Sequence, residues 1–205
     1  GEPGIGKSTL LLQIGAWLAA RATRVLYVTA EESAMQIRLR AERLEALADS
    51  LLVLAENRLD AILAAGEDEG TQALVVDSVQ MVYWNELSSA PGSVGQVREC
   101  AAGLIAQAKR RGLPLFLVGH VTKDGAIAGP KVLEHMVDVV LSFEGDRYHA
   151  ARILRATKNR FGAVGEIGVF EMATRGLQPV ADPSRLFLSG RAAETPGTVV
   201  TAPLE

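Results

Sequence analysis

Short runs of consecutive apolar residues recur along the first 120 residues, separated by longer stretches in which apolar positions recur every three or four residues. Such runs are typical of parallel strands buried on both faces, and the periodicity between them is typical of crossover helices. The alternation predicts an α/β fold of three layers, αβα, with a mostly parallel central sheet. The predicted strands cover residues 24–30, 51–55, 73–78 and 113–120.

The predicted helices carry recognisable end signals. Ser33 and Gln36 have the spacing of a capping box, which predicts that a helix begins at about Ala34. Three basic residues followed by Gly112 are typical of the C-terminal end of another helix. The predicted helices cover about residues 10–18, 34–48, 58–65 and 94–111.

The pattern changes after residue 120. Residues 121–130 lack periodicity and are predicted to form a loop, as are residues 79–94, which include Tyr83 and Trp84. The remaining apolar segments are short and separated by polar turns, which is typical of hairpins. They predict a hairpin-rich C-terminal edge with strands at about residues 136–144, 151–157, 168–172 and 177–180.

The first nine residues match the spacing G-x-x-x-x-G-K-[ST] of a phosphate-binding P-loop. Lys7 is therefore predicted to reach the β- and γ-phosphates of ATP, and the Ser8 hydroxyl to ligate Mg²⁺. A glycine-proline turn before an ordinary helix is the alternative interpretation, but the apolar helical pattern that follows favours the P-loop. The predicted nucleotide-binding residues are Gly1, Glu2, Pro3, Gly4, Ile5, Gly6, Lys7, Ser8 and Thr9.

A P-loop normally follows a strand, whereas the sequence starts at Gly1. We therefore expect the sequence to be a segment of a longer protein, truncated at the P-loop.

Three predicted strands end in polar residues that could carry chemistry. Glu31 and Glu32 follow the first strand, Asp77 ends the third, and His120 ends the fourth. Because ligands bind at the carboxyl ends of strands in open α/β sheets, Glu31, Asp77 and His120 are expected to converge. Asp77 is predicted to hold Mg²⁺ opposite Ser8. The alternatives are an aspartate that caps a turn and a histidine with a structural role.

Composition limits the remaining classes of function. A net charge of −3 gives no global electrostatic signal for nucleic-acid binding, so any such binding must come from local clusters or from several subunits together. The single cysteine, Cys100, excludes an intrachain disulfide and fits a reducing compartment. No stretch has the length of a membrane span, so the expected location is cytoplasmic and no membrane partner is expected.

Together these motifs resemble the ATPase domain of the bacterial RadA (Sms) family. Besides the P-loop, two segments carry the resemblance, namely residues 119–138 and the run Lys158-Asn159-Arg160-Phe161-Gly162. The pentapeptide is highly specific to that family, whereas the P-loop occurs in a vast set of NTPases. The resemblance covers residues 1–190, and residues 191–205 are interpreted as a linker and the possible start of the family's Lon-protease-like domain.

The resemblance implies a RecA-like DNA repair and recombination ATPase that forms a homo-hexameric ring. Its implied partners are single-stranded DNA and branched recombination intermediates, together with a RecA recombinase or the replication machinery. Residues 79–94 and 121–130, the latter with Lys123, would be DNA-facing loops in which Tyr83 or Trp84 could stack on a base. A loop aromatic that packs against its own neighbours is the alternative.

The resemblance also assigns roles at the reaction centre. Glu31 matches the glutamate that activates the attacking water, and His120 the position of a sensor of the γ-phosphate. Lys158 and Arg160 are candidates for finger-like cations supplied to a neighbouring subunit. Their alternative roles are an exposed basic turn or a contact to DNA phosphate.

Two other functions fit much of the same sequence. One is a regulatory ATPase similar to KaiC, which switches protein partners without moving on DNA. The other is a nucleotide-binding scaffold without turnover, against which the intact set of Lys7, Ser8, Glu31 and Asp77 argues.

Overall fold

A computed structural model describes residues 1, 3–120, 130–145 and 151–183. Its helices are α1 (Lys7–Ala19), α2 (Ala34–Arg43), α3 (Leu59–Gly66), α4 (Val94–Arg111) and α5 (Pro130–Met136). Its strands are β1 (Val25–Thr29), β2 (Leu51–Ala55), β3 (Ala73–Asp77), β4 (Leu115–Leu117), β5 (Val139–Gly145), β6 (Ala151–Asn159), β7 (Ile167–Ala173) and β8 (Gly176–Pro179). A short 3-10 helix spans Val79–Met81.

The first four strands form a parallel sheet in the order β2-β1-β3-β4. Every residue of β1 and β3 is buried, as expected of apolar runs covered on both faces. Side chains alternate between the faces: Val25 and Tyr27 pack with α1 and α2, whereas Leu26 and Val28 pack with α3 and α4. The predicted αβα layering and parallel sheet are therefore confirmed.

The last four strands form a separate antiparallel sheet in the order β5-β6-β7-β8. This sheet packs against the start of the chain. The Arg152 Nε atom donates to the Ile5 carbonyl over 3.2 Å, and the Gln13 side-chain amide exchanges two hydrogen bonds with the Leu177 backbone. The predicted hairpin-rich edge thus supports the P-loop directly.

The structure corrects several predicted boundaries. Strand β4 covers Leu115–Leu117 rather than residues 113–120, so His120 lies three residues beyond the end of the strand. Helix α2 ends at Arg43 rather than at Ala48, because Glu45 adopts a left-handed φ of 53° and the Ala46 N–H bonds back to the Ala41 carbonyl. Met136 ends the short helix α5 instead of starting a strand. Residues 121–129 and 191–205, for which a DNA-facing loop and a linker were predicted, lie outside the described residues.

None of the described helices is long and apolar enough to span a membrane.

Candidate functional site

The turn at residues 3–6, directly before α1, has a backbone conformation typical of a phosphate-binding loop. Gly4 and Gly6 have φ angles of 76° and 111°, which residues with a Cβ rarely adopt. A Cβ at Gly6 would also lie 2.7 Å from the Met172 Cε atom of the antiparallel sheet. Helix α1 begins at Lys7 directly after Gly6, so its N-terminal amides and positive dipole end lie at this turn.

Lys7 lies between this turn and the strand ends. Its ammonium group donates to the Gly1 carbonyl over 2.8 Å. Burial lowers the pKa of Lys7, and the nearby charges of Asp77 and Glu31 oppose that shift. The amine therefore shares one electrostatic environment with both carboxylates. Ser8 and Thr9 occupy the first turn of α1 and are half-buried.

Asp77 is held at the end of β3 by a buried phenol. The Tyr27 hydroxyl donates to the Asp77 Oδ2 atom over 2.6 Å, and Asp77 is only 6% exposed. Burial and the Asp77 charge raise the pKa of Tyr27, so its phenol stays a donor at physiological pH. The second carboxylate oxygen, Oδ1, accepts no hydrogen bond from the described residues, which leaves it as a potential metal ligand.

Glu31 and Glu32 have different partners although they are adjacent in sequence. Glu31 Oε1 accepts a short hydrogen bond from the Ser78 hydroxyl, and lies 3.1 Å from the His120 Nε2 atom. Glu32 instead pairs with Arg40, whose single Nη2 atom donates to both carboxylate oxygens over 2.7 and 2.8 Å. Glu31 is therefore the carboxylate that faces the strand ends.

The structure thus brings together four side chains that the sequence singles out. Lys7, Asp77 and Glu31 interact electrostatically, and His120 contacts Glu31 directly. The parallel sheet explains this convergence, because β1, β3 and the end of β4 are neighbours and all run in the same direction. Glu2 lies outside the described residues. The catalytic roles of these groups stay predictions.

The donor set fits Mg²⁺ bound together with a nucleotide. The described residues contain no cluster of three or more His, Cys, Asp or Glu side chains that could hold a metal by themselves. Mg²⁺ in nucleotide sites needs only one or two protein oxygens, because phosphates and water complete its coordination. The Ser8 hydroxyl and Asp77 Oδ1 are oxygens of the required kind.

Lys158 and Arg160 have their described side-chain partners at α5 and the segment after it rather than at the P-loop. Lys158 Nζ donates to the carbonyls of Glu134 and Val137 at the end of α5, over 2.6 and 2.8 Å. Arg160 forms a 2.8 Å ion pair with Asp138. Both cations are therefore bound to residues 134–138, and none of the described contacts joins either of them to the P-loop of its own chain.

The loop at residues 82–93 is organised by the buried side chain of Gln96. Its amide bonds to the backbone N–H and carbonyl of Trp84 and to the Ser89 carbonyl. The Trp84 ring packs against the core, and the Tyr83 backbone bridges to Arg58. Trp84 therefore packs against its own neighbours, which was the alternative to stacking on DNA. Lys123, the predicted cation of the second loop, lies outside the described residues.

Sequence reasoning missed three residues that hold the site in place. Tyr27 reads as one more apolar residue of a strand, and Ser78 as a strand-terminal turn residue. Arg152 reads as the polar position of an alternating strand. The register between β1 and β3, which pairs Thr29 with Asp77, places Tyr27 beside Asp77 and could not be read from either segment alone.

The fold and this constellation define a P-loop ATPase core. The AAA domain family matches residues 1–126, which is more than half of the chain, and the chain belongs to this family. Solved structures share the fold: the RadB recombinase (TM-score 0.64, 18% identity, covering 88% of each chain) and a DnaB-like replicative helicase (TM-score 0.70, 12% identity, covering 86% of this chain and 55% of that one).

The resemblance to bacterial RadA proteins is confirmed along the whole chain. The DNA repair protein RadA of Bacillus subtilis is 54% identical over 205 residues, and that of Pseudomonas aeruginosa is 52% identical over the same length. Both matches cover 100% of this chain and 45% of the relative. The chain therefore spans about half the length of these curated relatives.

Proposed function

We propose that this chain is the ATPase domain of a DNA-dependent motor that acts in DNA repair and homologous recombination. The proposal rests mainly on the position of the Glu31 carboxylate, which contacts Ser78 and His120 and lies near Lys7 and Asp77. This is the arrangement that orients a water molecule for attack on a phosphate. The curated relatives named DNA repair protein RadA and the fold neighbours named recombinase and replicative helicase support the DNA-related part.

Each residue has a role that follows from its position. ATP supplies the phosphoanhydride bond, and Mg²⁺ offsets the negative charge of its phosphates. The glycine turn donates backbone N–H groups to phosphate oxygens, and Lys7 exchanges its bond to the Gly1 carbonyl for a bond to phosphate. Ser8 and Asp77 would hold the metal ion. Glu31 accepts the proton of the attacking water or orients that water, and His120 senses the γ-phosphate through Glu31.

The site is proposed to be complete only in a homo-hexameric ring. At the described site of one chain the cations are Lys7 and Arg152, and Arg152 is bound to the Ile5 carbonyl, whereas Lys158 and Arg160, at the end of β6 and in the turn after it, contact residues 134–138 instead. A head-to-tail ring would bring this turn to the next subunit, because heterologous interfaces generate closed rings. Arg160 is the stronger candidate for the finger, since its side chain is 55% exposed and paired with the partly exposed Asp138, whereas Lys158 is bound to two backbone carbonyls at the end of α5. The ring would drive branch migration of recombination intermediates.

The decisive experiment is ATP turnover by the full-length protein with and without single-stranded DNA. A motor is expected to hydrolyse ATP faster when DNA is added, and its DNA affinity should fall steeply with salt. Turnover that is substantial but indifferent to DNA would instead support the regulatory ATPase. No turnover under either condition would leave only a nucleotide-binding scaffold and contradict the role of Glu31.

A further inference from the structure

Gln80 links two segments that leave the reaction centre in different directions. It lies in the 3-10 helix three residues after Asp77, at the start of the loop at residues 82–93. Its Nε2 atom donates to the backbone carbonyl of His120 over 3.0 Å. The neighbouring backbone is also tied, because the Val79 N–H donates to the Val118 carbonyl. One side chain therefore joins the loop after β3 to the segment after β4.

The same histidine contacts the catalytic carboxylate. Because a carboxylate only accepts hydrogen bonds, the contact between His120 Nε2 and Glu31 assigns the imidazole proton to Nε2. His120 is thus held at two points, by Glu31 through its ring and by Gln80 through its carbonyl. A displacement of Gln80 would consequently shift His120 and, through it, Glu31.

The link has unused hydrogen-bonding capacity. The Gln80 Oε1 atom and the His120 Nδ1 atom are both buried, and neither has a hydrogen-bond partner in the part of the chain that the structure describes. Buried polar atoms without partners are rare in native proteins. Both atoms are acceptors, so the link can take a further N–H or O–H donor without losing its existing hydrogen bonds.

We infer that Gln80 is a positioning residue that couples the state of the nucleotide at Glu31 to the loop at residues 82–93 through His120. The inference rests on the proposed function, because it gives that function its connection between hydrolysis and DNA. It assigns to Gln80 no contact with the nucleotide. The coupling travels through the hydrogen bond from Gln80 to the His120 carbonyl and the contact of His120 with Glu31.

The test uses the full-length protein with Gln80→Met, which keeps the side-chain length but removes both polar atoms. Gln80→Glu is the second variant, because it keeps an acceptor and loses the donor. Gln178→Met, at an exposed position of β8, is the matched control. The measured quantities are KM for ATP, the ratio of turnover with and without single-stranded DNA, and hydrogen exchange of residues 82–93 with and without a non-hydrolysable ATP analogue.

Both Gln80 variants are expected to lower the stimulation ratio by roughly tenfold, within the 5- to 150-fold range of typical couplings. KM for ATP should stay within about twofold, because the P-loop is intact. The nucleotide-dependent protection of residues 82–93 should disappear in both variants and persist in Gln178→Met. A stimulation ratio equal to that of the unmodified protein would overturn the inference.

Two further outcomes separate this inference from the proposed function. If basal and stimulated turnover fell by the same factor with loop protection unchanged, Gln80 would only support the fold, and the inference would be wrong. If DNA did not stimulate the unmodified protein, the proposed motor would be wrong. In that case, protection that responds to nucleotide in the unmodified protein but not in Gln80→Met would still establish the coupling, and equal protection in both would refute it.

Discussion

The parallel and antiparallel sheets position side chains in different ways. Strands β1, β3 and β4 all end at one edge, so chemical groups far apart in sequence meet there, and Glu31 contacts both Ser78 and His120. In the antiparallel sheet consecutive strand ends lie at opposite edges. Strand β6 therefore places Arg152 at the P-loop of its own chain and Arg160 at the far edge. Parallel strands therefore gather side chains into one site, whereas an antiparallel strand carries side chains to both ends of its sheet.

The largest effect is expected from neutralising one carboxylate at the ends of the parallel strands, which tests whether these ends form the reaction centre. Glu31→Gln is expected to lower ATP turnover by about 10³-fold while nucleotide binding persists, because a general base typically contributes 10²- to 10⁴-fold. Glu32→Gln is the matched control, since it removes the same charge one residue away, where the partner is Arg40. Turnover and nucleotide binding are measured in parallel. Inactivity of Glu32→Gln with normal turnover of Glu31→Gln would reverse the two roles.

The far edge of the antiparallel sheet is tested by Arg160→Ala. A loss of about 10²-fold in turnover is expected, below the 10³- to 10⁵-fold of dedicated arginine fingers, because Lys158 supplies a second cation two residues away. Arg155→Ala, an exposed position earlier on β6, is the control.

Mixing subunits decides whether Arg160 acts on the next chain. Glu31→Gln and Arg160→Ala subunits, each nearly inactive alone, should regain part of the turnover when mixed, because some interfaces then join an intact Glu31 to an intact Arg160. Absence of recovery in demonstrably mixed rings would refute action in trans.

Tyr27→Phe tests how much a buried hydrogen bond within the parallel sheet contributes to stability. Loss of the hydrogen bond to Asp77 is expected to lower the free energy of unfolding by about 2 kcal/mol, as for a bond to a charged group. Chemical denaturation at neutral pH measures this difference. A change of well under 0.5 kcal/mol would mean that the bond contributes almost nothing.

The same residue predicts a dependence on pH. The pKa of Tyr27 is raised above its ordinary value of 10.0, because burial and Asp77 disfavour the phenolate. The folded state then holds the proton more tightly, so this stabilisation is complete below pH 10 and is lost as pH rises further. Above pH 10, the free energy of unfolding, measured by chemical denaturation at a series of pH values, should fall more steeply with pH for the unmodified protein than for Tyr27→Phe.

The smallest expected effect concerns the contact between α1 and β8. Gln13 pairs with the Leu177 backbone as a strand would, accepting from its N–H over 3.0 Å and donating to its carbonyl over 3.1 Å. Gln13→Met should lower the free energy of unfolding by about 1–2 kcal/mol, roughly 1 kcal/mol per bond. Gln178→Met on the same strand should change it by less than about 0.5 kcal/mol. Equal effects of both variants would remove the special role of Gln13.

Local signals explain why some elements were predictable and others were not. The bounds of α4 follow from the cap at Ser93 and from Gly112, which adopts a left-handed φ of 66°. The early end of α2 depends on the same left-handed conformation at Glu45. Glutamate rarely adopts this conformation, so the sequence does not predict it there. The end of α5 escaped prediction because Met136 begins an apolar run that continues into β5.

The sequence by itself determined the P-loop, the parallel sheet and the strand-end residues Glu31, Asp77 and His120, since each depends on local spacing and on buried apolar runs. The family resemblance already favoured Glu31 over Glu32, and the tertiary structure supplied the physical difference, because their partners Ser78 and Arg40 come from different elements. The tertiary structure also showed that Lys158 and Arg160 contact residues 134–138 rather than the P-loop of their own chain. Strand direction and register decide such contacts, and both are set by packing between segments rather than within one.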